Sequence, residues 1–448
     1  MATQKPGMLR SGRSRSNSAH NVFLEYHKHR PSVMKGMQGM QTVDEVEEEE
    51  REFDMFHHVM KTGVIYATSR ALKNGFSMDD DEWANMGQGA PETGPLPGAP
   101  SRDFHYTYEN VCVVPGGRAG LTRVMAALGD ISVGFFTPDY TAYQQALGLF
   151  SRITPSVLLH RNVNEPLMAS SDFRFEAGGR GLGAMLLSNP ANPTGQSIEG
   201  DELESYVEIA RDLGLALLMD EFYSHYYYDG ETDDHDGKSW PKTVSSASFV
   251  EDVNEDPVVI VNGLTKNWRC PGFRVCWIVA PKSICEMLSS AGSFLDGGAN
   301  APLQKLALPL MEMEFIRQDT WALQKSFRGK RDFLLAELEK LGIKVNWVPT
   351  ATFYVWADLS DLPPPLNDCL VFLEECCKHK VICVPGVFFD LNPRQVRHLK
   401  ESKSINYVRF SYGPRMENLV KGVASMKKMI DYWRQNSTSA GNYAYANL

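Results

Sequence analysis

Three apolar runs in this sequence end in residues able to do chemistry. The run from 183 to 188 leads into Asn189-Pro190-Ala191-Asn192-Pro193-Thr194-Gly195, and the run from 215 to 219 ends in Asp220-Glu221-Phe222-Tyr223. The third, from 257 to 262, leads to Thr265-Lys266, with Arg274 eight residues beyond the lysine. Together they supply a carboxamide, a carboxylate, a phenol, a primary amine and a guanidinium. A lone lysine after a strand is ordinarily a solvated charge, and an Asn-Pro turn is ordinarily only a turn. In this order, with the acid between them, they point to a ligand site at the carboxyl edge of an open α/β sheet, where such sheets bind their ligands.

The elements that must carry these residues are legible in the hydrophobic pattern. From Val111 onward, strand candidates at 133–136, 183–188, 215–219, 257–262 and 275–280 alternate with helices, which implies an α/β domain with a mainly parallel sheet. Between Glu199 and Leu213, Leu203, Tyr206, Val207, Ala210 and Leu213 recur at helical spacing, and Gly214 stops the helix before the next strand. Amphipathic helices near 321–341, 367–379 and 416–434, separated by strands near 352–357, 381–384 and 406–411, predict a smaller α+β domain. Residues 1–43, rich in Arg, Ser, Gly, Met and Gln, read as a flexible arm, and 437–448 as a flexible tail. The acidic stretch from Asp44 to Glu52 leads into Phe53, Met55, Phe56, Val59 and Met60, so 44–110 is expected to hold an N-terminal helix and an extended segment joining the small domain. The large domain then spans 111–320 and the small one 321–436.

Composition narrows the function classes. Forty-five Lys plus Arg against 55 Asp plus Glu give a net charge of -10, the wrong sign for neutralising nucleic-acid phosphates. Hydrophobic residues make up 43%, and no apolar run approaches the length that crosses a bilayer. The eight cysteines form no CxxC pair, which argues against a disulfide scaffold or a metal site and for reduced thiols in an intracellular protein. The cytoplasm is the expected location; the Arg-rich, acid-poor N-terminus leaves an organelle transit peptide as the alternative.

The ordered motifs resemble those of the fold-type I, class I/II aminotransferases, which use pyridoxal 5'-phosphate (PLP). Their pattern NPxNPTG, then D-x-x-Y, then S/T-K with a following Arg appears here in sequence, and the resemblance covers most of the chain after about Trp83. It implies a large PLP-binding domain with a helix-flanked, mainly parallel sheet and a smaller α+β domain. It further implies that Lys266 holds PLP as a Schiff base and moves the proton, that Asp220 faces the pyridine nitrogen, and that Asn192 and Tyr223 hydrogen-bond the cofactor's phenolic oxygen. Residues 113–128 match the phosphate-cup segment, which places Gly117, Arg118 and Ala119 at contact positions beside Arg274 and Thr265. Tyr140 matches the aromatic that stacks on the pyridine ring, Arg409 the arginine that grips the substrate α-carboxylate, and Gly89 a backbone contact near that carboxylate. The implied reaction is amino transfer between an α-amino acid and a 2-oxo acid, in a homodimer to which Gly297-Gly298-Ala299-Asn300 contributes the crossing segment.

The chain also departs from the family pattern. Gly263 stands where many relatives carry a phosphate-binding serine. The interval from Gly89 to Gly117 is short and lacks the family's Y-x-x-x-G-x-x-x-L-R stretch, which leaves a noncatalytic protein with the same fold as one alternative. A lyase or synthase on the same scaffold is another, because cofactor-binding residues do not choose among carbanion fates. Tyr226, Tyr227 and Phe389 suggest an aromatic-lined substrate pocket.

Overall fold

The computed structural model describes residues 106–158, 167–231, 234 and 237–436. The expected arm, the acidic stretch with the helix after it, Gly89, the short interval up to 105 and the tail from 437 lie outside them. Within this span, short apolar runs form a seven-stranded sheet in the order β1-β7-β6-β5-β4-β2-β3. The strands are β1 (Val111–Val114), β2 (Ser132–Phe135), β3 (Thr154–Val157), β4 (Ala184–Ser188), β5 (Ala216–Asp220), β6 (Val258–Gly263) and β7 (Cys276–Val279). The pairs β2 with β3, β2 with β4, β4 with β5 and β5 with β6 are parallel, whereas β7 runs antiparallel to both β6 and β1.

The central strands are apolar without alternation because both faces are covered. Ala184, Leu186, Ala216 and Leu218 point into one apolar cluster, and Met185, Leu187, Leu217 and Met219 into the other. The first cluster is built with Gly117–Ala127 (α1), Lys282–Leu295 (α5) and Met313–Lys340 (α7). The second is closed by Ser170–Arg180 (α3) and Gly200–Leu213 (α4). The two helices left between these are α2 (Ala142–Leu149) and α6 (Ala301–Ala307).

Helix α4 follows the sequence reading closely. Gly214 adopts φ 60 as its left-handed cap and returns its N–H to Ala210 and Arg211. Leu203, Tyr206, Val207 and Ala210 are buried, but Leu213 is 40% exposed and Ile209 takes its place in the core. The last turn rotates Leu213 past the edge of the buried face.

Helix α7 carries the chain to a second sheet, ordered β8-β10-β9 and antiparallel throughout: β8 (Tyr354–Asp358), β9 (Val384–Pro385) and β10 (Tyr407–Ser411). It is 28 residues long and begins eight residues before the expected start at 321. Helices α8 (Cys369–Lys378) and α9 (Met416–Asn436) pack on this sheet. Strand β9 has only two residues, later than the expected 381–384, because Val381 still bonds back to the Cys376 carbonyl at the end of α8.

Candidate active site

Lys266 lies in the turn that follows β6. That turn is closed by Leu264 N–H to the Val275 carbonyl at 3.0 Å and by Cys270 N–H to the Leu264 carbonyl at 2.9 Å. Its neighbour Asn267 is fully buried: the amide Nδ2 donates to Ser224 Oγ and Asn262 Oδ1, both at 3.0 Å, and Oδ1 accepts the His225 N–H at 3.1 Å. These bonds tie the lysine's turn to the end of β5. Lys266 Nζ stands 5.8 Å from the centre of the Phe353 ring. Burial, then the positive charges of Arg409 and Arg118, hold its ammonium below the ordinary lysine range, against an opposing pull from Asp220.

Asp220 closes β5 as a buried carboxylate that accepts the Tyr143 hydroxyl at 2.7 Å. Burial pushes its pKa up to about 6, opposed by the bonds from Tyr143 and the Phe222 amide and by the charge of Lys266. Tyr143, on α2, is itself fully buried and meets Tyr140 edge to face at 5.4 Å. Tyr223 is buried with its hydroxyl 3.0 Å from that of Tyr354.

The loop after β4 brings Asn192 against β10. Asn192 Oδ1 accepts from Arg409 Nη1 at 2.8 Å, which leaves the amide's own N–H groups as donors. The Arg409 guanidinium lies over two rings, 4.0 Å from Tyr354 and 4.8 Å from Phe389, and its Nε is buried without a hydrogen-bond partner.

On the far side, Gly117 opens α1. A Cβ at Gly116 would overlap the Arg274 guanidinium, and one at Gly117 would overlap the Phe222 ring, so these glycines let a guanidinium and a ring pack directly against the backbone that opens α1. Gly263 has a similar cause: it pairs with Cys276 across β7, and a Cβ there would overlap that residue. A serine does not fit, and the neighbouring Thr265 hydroxyl sits 3.2 Å from the Cys276 thiol.

All these groups meet in one cavity of about 610 Å³. Gly117, Arg118, Tyr140, Asn192, Asp220, Tyr223, Thr265, Lys266, Arg274 and Arg409 line it. Ala119 lies in the first turn of α1 but is not part of the lining. Of the three aromatics expected around the substrate, only Phe389 lines the cavity; Tyr226 and Tyr227 are fully buried core side chains.

Residues 100–399 match the family model for aminotransferase class I and II. The chain belongs to this family. The aspartate aminotransferase of Sulfurisphaera tokodaii is 24% identical to it over 72% of this chain and 75% of that one. A probable aspartate/prephenate aminotransferase of Aquifex aeolicus is 25% identical over 73% and 77%. Among solved structures, the aspartate aminotransferase of Thermus thermophilus with maleate superposes with a TM-score of 0.60, at 23% identity over 73% of this chain and 77% of that one. An aromatic aminotransferase from Pyrococcus horikoshii gives 0.61, at 21% identity over 72% and 80%. The fold is that of the fold-type I aminotransferases.

This class I/II aminotransferase is a PLP-dependent transferase acting on amino acids and their keto acids. The cavity fits that cofactor in its donor set: a guanidinium beside side-chain-free glycines for a phosphate, a buried carboxylate for a ring nitrogen, an amine for an aldehyde, and an unpartnered Arg409 Nε for an anion. Gly116→Ala tests the cradle. The added methyl displaces Arg274, and Gly116 has φ +112, so PLP affinity is expected to fall roughly tenfold or more, read by titrating cofactor into stripped protein.

Sequence reasoning missed six lining residues, Leu121, Thr141, Ser188, Phe222, Tyr354 and Val384, and the supporting Tyr143. Tyr143 lies one helical turn beyond Tyr140, and that spacing was the available signal. Tyr354 and Phe222 gave none, since β8 is buried on both faces and Phe222 reads as ordinary core.

No helix among the described residues is long and apolar enough to cross a membrane.

Proposed function

We propose that this aminotransferase transfers the amino group of an α-amino acid to a 2-oxo acid, with Lys266 as both covalent anchor of PLP and proton carrier. One observation carries the reading: Lys266, Asp220, Tyr223, Asn192, Arg274 and Arg409, supplied by separate stretches of chain, line a single cavity. When bound, PLP supplies the electron sink that stabilises negative charge at the substrate Cα.

The protein's own groups do the rest. Lys266, half-buried and flanked by like charge, is shifted towards the neutral amine, the form that bonds to a carbonyl and accepts a proton. Asp220, held in orientation by Tyr143, would supply a negative charge to the ring nitrogen of the bound cofactor. Tyr223 and the Asn192 amide would donate to the phenolic oxygen, the Asn192 orientation being set by its bond to Arg409. Arg274, Thr265, Gly117 and Arg118 would hold the phosphate, with Ala119 next to them in the first turn of α1, and Tyr140 would cover a ring face. Arg409 holds the substrate carboxylate, assisted in this reading by Gly89.

The reading extends to a homodimer. Phe294, Leu295, Leu306 and Leu308, all at least 40% exposed, flank Gly297–Asn300, and a second copy of the chain would cover them. We assign a large domain to 111–320 and a small one to 321–436, joined within α7. The cytoplasm suits the eight free cysteines.

The test is to purify the protein, record its visible cofactor band and add single amino acids without an acceptor. An effective donor is expected to convert the band to the amine form of the cofactor, and a 2-oxo acid to restore it. A band that no member of a broad amino-acid panel converts contradicts amino transfer.

A further inference from the structure

Tyr354 touches both ends of the reaction without having a role in the reading above. It opens β8, next to β10 in register Ser411↔Tyr354 and Arg409↔Trp356, so Arg409 is its diagonal neighbour across the ladder. Its hydroxyl is 3.0 Å from that of Tyr223, and its ring lies 4.0 Å from the Arg409 guanidinium carbon. The side chain is 5% exposed and lines the cavity. The two contacts use different parts of the residue.

We propose that Tyr354 is a positioning residue that couples the cofactor side of the site to the substrate side, its hydroxyl strengthening Tyr223 as a donor and its ring holding Arg409 in place. This rests on the roles given above to Tyr223 and Arg409. A phenol has one proton to donate. When Tyr223 gives its proton to the phenolic oxygen of PLP, the proton between the two tyrosines comes from Tyr354. Donation into the Tyr223 oxygen polarises that hydroxyl and strengthens its own bond. Phe389, 4.8 Å away, is the second ring on Arg409, so the guanidinium rests against two aromatic rings while its Nη1 bonds Asn192.

Two substitutions separate the contacts. Tyr354→Phe keeps the ring and removes the hydroxyl. A weaker donor on the phenolic oxygen makes the bound cofactor hold its proton more tightly, so the pH midpoint of the visible band is expected to rise by roughly 0.3–1 unit. KM for the amino acid should then change by less than about twofold, because the ring remains over Arg409. Tyr354→Leu removes both contacts and is expected to raise KM by roughly 3- to 30-fold. In a Tyr223→Phe background, adding Tyr354→Phe should leave the midpoint where Tyr223→Phe alone puts it, since Tyr354 acts through that hydroxyl.

A midpoint that does not move in Tyr354→Phe while the band is intact overturns the coupling. So does an equal shift from Tyr354→Phe with and without Tyr223→Phe, or a KM that rises as much with Phe as with Leu. Should Tyr354→Leu fold poorly, the Phe variant and the double variant decide the matter alone. Wild-type and Lys266→Ala spectra are recorded alongside: a wild-type band that is absent, or one that persists in Lys266→Ala, overturns the underlying reading instead.

Discussion

Replacing Lys266 with alanine is expected to abolish amino transfer, lowering kcat by more than about 10⁴-fold, because one residue supplies both the covalent anchor and the proton relay. The surroundings explain why no other group substitutes. Arg118, Arg274 and Arg409 are the other cations lining the cavity, and guanidinium groups neither bond covalently to an aldehyde nor give up a proton near neutral pH. The remaining lining residues offer hydroxyls, a carboxamide and one carboxylate. The fold should survive the change, since Lys266 is held in place by its neighbours: Asn267 supplies the buried bonds that fix the turn. Lys266→Ala is thus expected to melt close to the wild type in stripped form and to bind PLP more weakly and without a covalent link. Steady-state rates with a good donor, together with a thermal melt, check both parts.

Asp220→Asn carries the second largest effect. An asparagine keeps the size of the side chain and still accepts from Tyr143, but removes the negative charge opposite the ring nitrogen. Losing one such preorganised electrostatic partner is expected to lower kcat by roughly 10²–10³-fold or more. Stability should move the other way. In the protein without cofactor, burial raises the Asp220 pKa from 3.8 to about 6, so the folded state holds a proton that the unfolded state has lost across that interval. The contribution is fully present below pH 3.8 and is lost as pH rises through about 6. Stripped wild type is therefore expected to lose stability relative to stripped Asp220→Asn between about pH 4 and 6, and to lie below it at pH 7 by up to ~3 kcal/mol. Denaturant titrations of both proteins at pH 4 and 7 measure this. Restoring PLP should reverse the order, since a cation facing Asp220 favours the ionised form. If the stripped Asn variant is instead the less stable at pH 7, the carboxylate is not desolvated in the way its burial implies.

The contrast between what could and could not be read in advance follows from how each residue signals itself. Asn192, Asp220, Tyr223, Lys266 and Arg274 sit at strand ends, where polar groups interrupt apolar runs, so position and type were both visible. Strand and helix boundaries came within a residue or two where a glycine punctuated them, as at Gly214, and slipped where nothing did, as at the start of α7. Tyr226 and Tyr227 show the opposite difficulty. With Phe389 they suggested an aromatic-lined pocket, but the backbone turns there, and Tyr227 instead reaches Ser197 at 2.7 Å while Tyr226 bonds the Lys266 carbonyl at 2.9 Å. Packing partners far along the chain decide such cases.

Gly263 makes the same point from the other side. A missing hydroxyl looked like a lost phosphate contact, yet its cause is steric: Cys276, thirteen residues on and directly opposite across β7, fills the space a side chain would need. No single-sequence pattern exposes that pairing. The merged role of Tyr354 was equally hidden, since it arises from two strands meeting and from a loop delivering Tyr223 to the same spot.

The most direct measurement is chemical. Purified protein carrying PLP is reduced with borohydride, digested, and its peptides mapped by mass. The account requires the reduced cofactor to be found on Lys266, in a yield matching the visible band, and to be absent from Lys266→Ala. Cofactor fixed to any other lysine, or an adduct that survives in Lys266→Ala, contradicts it.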